Sequence, residues 1–183
     1  NKKYNAKVIS LTYAANEQAS WCGYSLNNAL NLTATPTITA IEGVNTIRVY
    51  CNDAAGNTGQ SDLITFTVDT TAPAQISGLI VNTVSGQNLL NMTWQSSITT
   101  DFSYYNIYRQ SNSFSDVSSL SPLTTTTANR FTDQFLVSGI TYYYAVAAVD
   151  DAGNENKNVI SVPGTVADTV APPKVTGLQV NAI

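Results

Sequence analysis

Gly139-Ile140-Thr141-Tyr142-Tyr143-Tyr144-Ala145-Val146-Ala147-Ala148-Val149-Asp150 is the longest regular stretch of the chain. Tyr142, Tyr144, Val146 and Ala148 alternate with Tyr143, Ala145, Ala147 and Val149, which is the period of a strand. The run ends in Asp150-Asp151-Ala152-Gly153-Asn154. There Asp can accept turn amides, Gly can take a positive φ and Asn tolerates a left-handed conformation. Strand then hairpin is the reading.

The same ending occurs upstream. Thr46 to Asn52 places Ile47, Val49 and Cys51 on one face and Arg48 and Tyr50 on the other, and Asp53-Ala54-Ala55-Gly56-Asn57 follows. A second echo pairs Asp69-Thr70-Thr71-Ala72-Pro73, then Ile76-Ser77-Gly78-Leu79-Ile80-Val81-Asn82, with Asp168-Thr169-Val170-Ala171-Pro172, then Val175-Thr176-Gly177-Leu178-Gln179-Val180-Asn181. The offset from Asp69 to Asp168 is 99 residues (168 minus 69), the size of one immunoglobulin-like sandwich. The echoes divide the chain into residues 1–70, an Ig-like β-sandwich, residues 71–167, a second sandwich, and residues 168–183, a linker with the first strand of a further, truncated module. No apolar pattern of helical period persists. The expected class is all-β, a tandem of immunoglobulin-like sandwiches, excised or processed from a longer protein.

Within the first module the expected strands are Val8 to Ala15, Trp21 to Leu26, a short edge at Asn31 to Thr35, Thr46 to Asn52 and Leu63 to Val68. In the second, Leu90, Met92 and Trp94 alternate inward. The next strand sets Tyr105, Ile107 and Arg109 against Tyr104, Asn106 and Tyr108, and periodicity does not say which set faces the core. Ser111 to Ser121 reads as a mobile loop.

Composition excludes several functions. Charged residues are 11%, His is absent and the formal net charge is −4, while Asn, Ser and Thr make up about a third of the chain. A nucleic-acid surface needs clustered Lys and Arg. Without His the hydrolytic triad and most transition-metal sites are closed. The three Glu residues, Glu17, Glu42 and Glu155, fall in loops or strand ends, and no phosphate-binding Gly loop occurs. The chain is not expected to be an enzyme and requires no cofactor. A hydroxyl- and amide-rich surface suits extracellular and cell-surface proteins, and no run approaches the roughly 20 apolar residues of a membrane span.

Cys22 and Cys51 are the only cysteines. Two buried thiols are one reading. A disulfide is the other, favoured if both face the core on neighbouring strands, those called C and F in a sandwich. It would place the chain in an oxidising setting.

The second module resembles fibronectin type III domains over about residues 74 to 167. Trp94 matches their inward Trp, and Tyr142 matches the Tyr of the tyrosine corner. The first module resembles the immunoglobulin-like repeats of archaeal (and bacterial) surface proteins. The matches are Asn1-Lys2-Lys3-Tyr4-Asn5, Trp21-Cys22-Gly23-Tyr24-Ser25-Leu26, Val49 to Gly59, and Phe66 to Pro73. The cysteines fill variable positions of those motifs. The resemblance implies a structural or adhesive surface role without naming a ligand.

The remaining candidates each have two readings. The Asp-x-Ala-Gly-Asn loops are hairpin turns, or they hold calcium through Asp53 and Asn57, or through Asp150, Asp151 and Asn154, beside a linker carrying Asp69 or Asp168. Tyr104, Tyr105, Tyr108 and Tyr143 are sheet packing, or they are an aromatic surface for a glycan or protein partner. Asn31 and Asn91 begin sequons, so glycosylation is allowed. The Asp-Thr-x-Ala-Pro linkers are short and stiffened by Pro, which favours a semi-extended spacer. The principal expectation is a non-catalytic spacer or stalk whose partners are neighbouring modules. An accessory segment of a secreted hydrolase is a version of it, and a binding module is the alternative.

Overall fold

The structure is a computed structural model that describes residues 2–168 and 171–181; Asn1, Thr169, Val170, Ala182 and Ile183 lie outside the described residues. No helix among the described residues is long and apolar enough to cross a membrane. Among the described residues fifteen strands are formed, and the chain divides into two compact units. The first gathers Asn1–Ala74 with Ser97–Ser103 and Ala148–Asn156, and the second holds Gln75–Ser96, Tyr104–Ala147 and Lys157–Ile183.

In the first unit the strands are β1 (Lys2–Tyr4), β2 (Val8–Ser10), β3 (Trp21–Leu26), β4 (Leu32–Thr33), β5 (Thr37–Thr39), β6 (Gly43–Asn52), β7 (Thr58–Gln60) and β8 (Ile64–Val68). The larger sheet runs β1-β8-β6-β3-β4, with β7 also pairing β6, and β2 pairs β5 in a second, two-stranded sheet. Strict alternation on β6 explains its length. Asn45, Ile47 and Val49 are buried, with Tyr24, Ile38, Ala40, Phe66 and Val68 completing the core. The strand expected over Val8 to Ala15 stops at Ser10. Beyond Leu11, whose amide still bonds Pro36, Tyr13 turns out to 46% exposure. Pro36 has no N–H to return that bond.

One buried polar residue organises the turn before β6. Asn45 is 0% exposed. Its Oδ1 accepts from the Ile41 amide at 3.1 Å and from Asn27 Nδ2 at 2.9 Å, and its Nδ2 donates to Ile41 O at 2.7 Å and Gly43 O at 2.9 Å. Those four bonds exhaust a primary amide's capacity. Gly43, with φ of 89°, supplies the left-handed step beside it.

In the second unit β9 (Ile80–Thr83), β10 (Leu90–Thr93) and β13 (Arg130–Asp133) form one sheet in the order β13-β10-β9. The facing sheet is β12 (Thr124–Thr126), β11 (Phe102–Gln110), β14 (Thr141–Asp150) and β15 (Val162–Thr165), in the order β12-β11-β14-β15, of which residues 102–103 and 148–150 are counted with the first unit. Leu90, Met92 and Trp94 are buried as their alternation requires. Trp94 meets Tyr105 edge to face at 5.3 Å, which settles the inward set on β11. Gly164 lets β15 close over the core, since a Cβ there would sit 2.3 Å from Val81 and 3.1 Å from Leu90. The tyrosine corner is present: Tyr142 Oη accepts from the Val137 amide at 3.4 Å.

The other face of that sheet is not open. Tyr108, Ala145 and Ala147 are buried under Val117 and Val159, with Phe114 and Leu120 packed against them. The Ser111–Ser121 segment is therefore anchored, which corrects the mobile-loop reading. Its backbone is tied by Val117 N to Lys157 O at 3.0 Å and Val159 N to Ser115 O at 2.9 Å, and Ser161 Oγ accepts from Phe114 N at 2.9 Å. The small side chains of Ala145 and Ala147 leave room for this second core.

Candidate functional site

Cys22 and Cys51 sit directly opposite each other on β3 and β6, with Cα atoms 4.1 Å apart, and are joined by a disulfide. Both belong to the core-facing set, since Cys51 packs against the Tyr24, Ile47 and Val49 cluster. The bridge closes 29 residues of chain.

The two Asp-x-Ala-Gly-Asn loops share one local geometry. Asp53 accepts from the Asn57 amide at 2.9 Å and from Asn57 Nδ2 at 2.7 Å. Asp150 accepts from the Asn154 amide at 2.8 Å and Asn154 Nδ2 at 2.9 Å, and also from Ala152 N at 2.9 Å. Gly56 and Gly153 both have φ of 91°, which a side chain would resist. Hydrogen bonds from the Asn57 side chain and amide hold Asp53 below the usual carboxylate range. These carboxylates are first of all turn-builders.

The two loops named as calcium candidates differ in their surroundings. Asp53 and Asn57 remain within their own hairpin. Asp151 pairs with Lys3 at 2.5 Å, both partly exposed, and that contact raises the Lys3 pKa. Asp168 accepts from Ser138 Oγ at 3.3 Å. In the first unit, however, Asp69 and Asp150 come together with Asp101, one carboxylate oxygen of each lying within 4.8 Å of the others. Asn154 Nδ2 donates to Asp69 O at 2.8 Å. Sequence reading did not single out Asp101. Nothing around Thr99-Thr100-Asp101 marks it, because its partners are distant in sequence.

Asp69 shows the electrostatic result. The Thr71 amide donates to it and favours the charged form, yet desolvation, a hydrogen bond with Asp101 and the charges of Asp150 and Asp101 outweigh that bond. Its pKa is raised. Three carboxylates with hard oxygen donors suit a cation such as calcium. Asp150 already accepts three hydrogen bonds, so Asp69 and Asp101 would carry most of the coordination.

The tyrosine surface is corrected in part. Tyr105 and Tyr108 are 2% and 1% exposed; Tyr105 lies against Trp94 and Tyr108 lies under the Ser111–Ser121 segment. Neither offers a ring to a partner. Tyr104 and Tyr143 keep partial exposure. In the second unit's core, Asp133 accepts from Arg109 Nη1 at 2.8 Å and Tyr144 Oη at 2.7 Å. Desolvation first, then the bond to Asp133, raises the Tyr144 pKa. Arg109 also lies 5.3 Å over the Tyr142 ring. This network was not legible in the sequence, because the alternation on β11 left open which way Arg109 faces. Asn31 and Asn91 are both exposed, and Asn91 Oδ1 accepts from Thr132 Oγ1 at 2.7 Å.

Paired sheets, inward Trp94, the tyrosine corner and the lack of helix among the described residues together define an all-β chain of immunoglobulin-like sandwiches, the second with a fibronectin type III-like fold. Residues 2–70 match the family described as Bacterial Ig-like domain. Among solved structures, the fibronectin(III)-like modules of Clostridium thermocellum CbhA are similar at a TM-score of 0.65 and 16% identity, covering 97% of this chain and 95% of that one. The FN1–FN3 domains of chicken CNTN1 are similar at a TM-score of 0.65 and 11% identity, covering 92% of this chain and 66% of theirs. At these identities the likeness is one of fold. No curated protein matches the chain in sequence.

Proposed function

We propose that this chain is a non-catalytic spacer segment of a larger extracellular protein, surface-bound or secreted, and that its partners are neighbouring modules of the same chain. The observation that carries this reading is where the polar side chains go. Asp53 and Asp150 build their own hairpins, Asp133 ties two core residues, and Asn45 spends every bond on a turn. The Cys22–Cys51 bridge supports an oxidising compartment. Residues 168–181 repeat the opening of the second module, which supports a further fibronectin type III module after it. The test is replacement within the parent protein. Exchanging residues 1–167 for two unrelated sandwich modules should preserve the parent's activity and surface display, and loss of either would overturn the spacer reading.

The Asp69, Asp101 and Asp150 trio favours one addition to that reading, calcium bound in the first unit. The ion would neutralise carboxylates that otherwise repel one another. Isothermal titration with calcium checks it. Heat saturating at one ion per chain, abolished in Asp101→Asn, supports the site; no heat refutes it.

A further inference from the structure

The outer face of the first unit's larger sheet carries a group of side chains that the spacer reading leaves unused. On β3, Trp21, Gly23 and Ser25 alternate with core-directed Cys22, Tyr24 and Leu26; on β6, Thr46, Arg48 and Tyr50 alternate with Ile47, Val49 and Cys51. Register places Gly23 opposite Tyr50 and Ser25 opposite Arg48. The six-membered ring of Trp21 occupies the space over Gly23, where a Cβ would lie 2.2 Å from the ring. Glycine thus lets the indole settle against the sheet next to the Tyr50 position, while Trp21 keeps 36% exposure. Beside them, Ser25, Asn28, Thr46, Arg48, Tyr50 and Leu63 line a hollow of about 110 Å³.

Arg48 is the unusual member. Its Nε is buried without a hydrogen-bond partner. Its Nη1 makes only a 3.5 Å bond to Gln60. The ion pairs found among the described residues engage Lys3, Lys7 and Arg109, not Arg48. A buried, unmatched donor on a guanidinium calls for an explanation, and guanidinium is shaped to recognise a carboxylate. Rings of Trp and Tyr present apolar faces with polar tips, and Ser25, Thr46 and Asn28 add hydroxyls and an amide, with Leu63 apolar beside them. That combination matches a sugar ring bearing an acid group.

We propose that this face binds an acidic polysaccharide, with a sugar carboxylate at Arg48 and the ring that carries it against Trp21 and Tyr50. The site is independent of the spacer reading and of the Asp69 trio. The chain is net negative, so nonspecific attraction of a polyanion is weak, and binding through Arg48 should weaken as salt is added.

The probe is polygalacturonate cast in a native gel, with neutral dextran and poly-glutamate as separate gels. Retardation by polygalacturonate alone is expected, reduced about tenfold or more in Arg48→Gln and Trp21→Ala. Gly23→Ala, which displaces the indole, should weaken it too. Arg48→Gln leaves the core intact, so it keeps the test sharp if the Trp21 or Gly23 variants unfold. Equal retardation by poly-glutamate would assign the face to an acidic peptide and overturn the proposal. So would an absence of retardation, or retardation unchanged in Arg48→Gln.

Discussion

Replacing Asp101 with Asn should stabilise the chain when divalent ions are chelated. Asp69, Asp101 and Asp150 hold carboxylate oxygens within 4.8 Å of one another. Two unit charges at that distance repel by about 1 kcal/mol in water and about 3.5 kcal/mol at an effective dielectric of about 20. Asp69 and Asp101 are only half-buried, so the lower figure governs, and about 1 kcal/mol is expected. In a chain of this size that corresponds to a rise of roughly 2–4 °C in Tm. The pH dependence has a definite sign. The Asp69 pKa is raised in the folded state, so its contribution is most favourable below the unfolded value of about 3.9 and is lost as pH climbs through the raised value. Asp101→Asn should lessen that loss. Scanning calorimetry at pH 7 and at pH 4, in chelator, reads both effects. With millimolar calcium the order should invert, since an ion at a hundred times its Kd adds about 2.7 kcal/mol to the wild type and the variant lacks a ligand. An Asp101→Asn Tm equal to or below wild type in chelator would refute the electrostatic reasoning, whatever calcium does.

Asn45→Ala should cost about 2–4 kcal/mol in urea unfolding, because it strands the Ile41 amide and carbonyl groups that the side chain satisfies; a loss below about 0.5 kcal/mol would show that water replaces the amide. Val117→Ser should free the Ser111–Ser121 segment from the Tyr108 cluster, read as limited proteolysis within that segment at a concentration that spares wild type. Asp133→Ala should destabilise the second unit by about 3–5 kcal/mol by leaving Arg109 without its carboxylate, whereas a near-neutral result in denaturant titration would mean that the guanidinium reaches solvent.

What the sequence conveyed, and what it withheld, follows from the range of the interactions involved. β6 and β14 were legible because each alternates over ten residues, a local signal. The disulfide was legible because Cys51 shares the parity of Ile47 and Val49. The hairpin role of the Asp-x-Ala-Gly-Asn loops was also local, spanning four residues. Asp101 was invisible, since proximity to Asp69 and Asp150 arises only from folding. The inward set on β11 was undecidable because both sets are largely apolar and both are in fact buried, one under Trp94 and the other under Val117. That second core did leave a trace: Ala145 and Ala147 on an outward face, with Phe114, Val117 and Leu120 spaced by three in a serine-rich segment.

The proposal that this is an extracellular spacer makes a simple demand on the protein in its own cells. Intact cells and their medium would be quenched with an alkylating agent before lysis, and the peptides around Cys22 and Cys51 examined by mass spectrometry. The account predicts a linked Cys22–Cys51 peptide recovered from the medium or from surface-labelled material, with neither thiol alkylated. Recovery from the cytosol, with both cysteines alkylated, would contradict it.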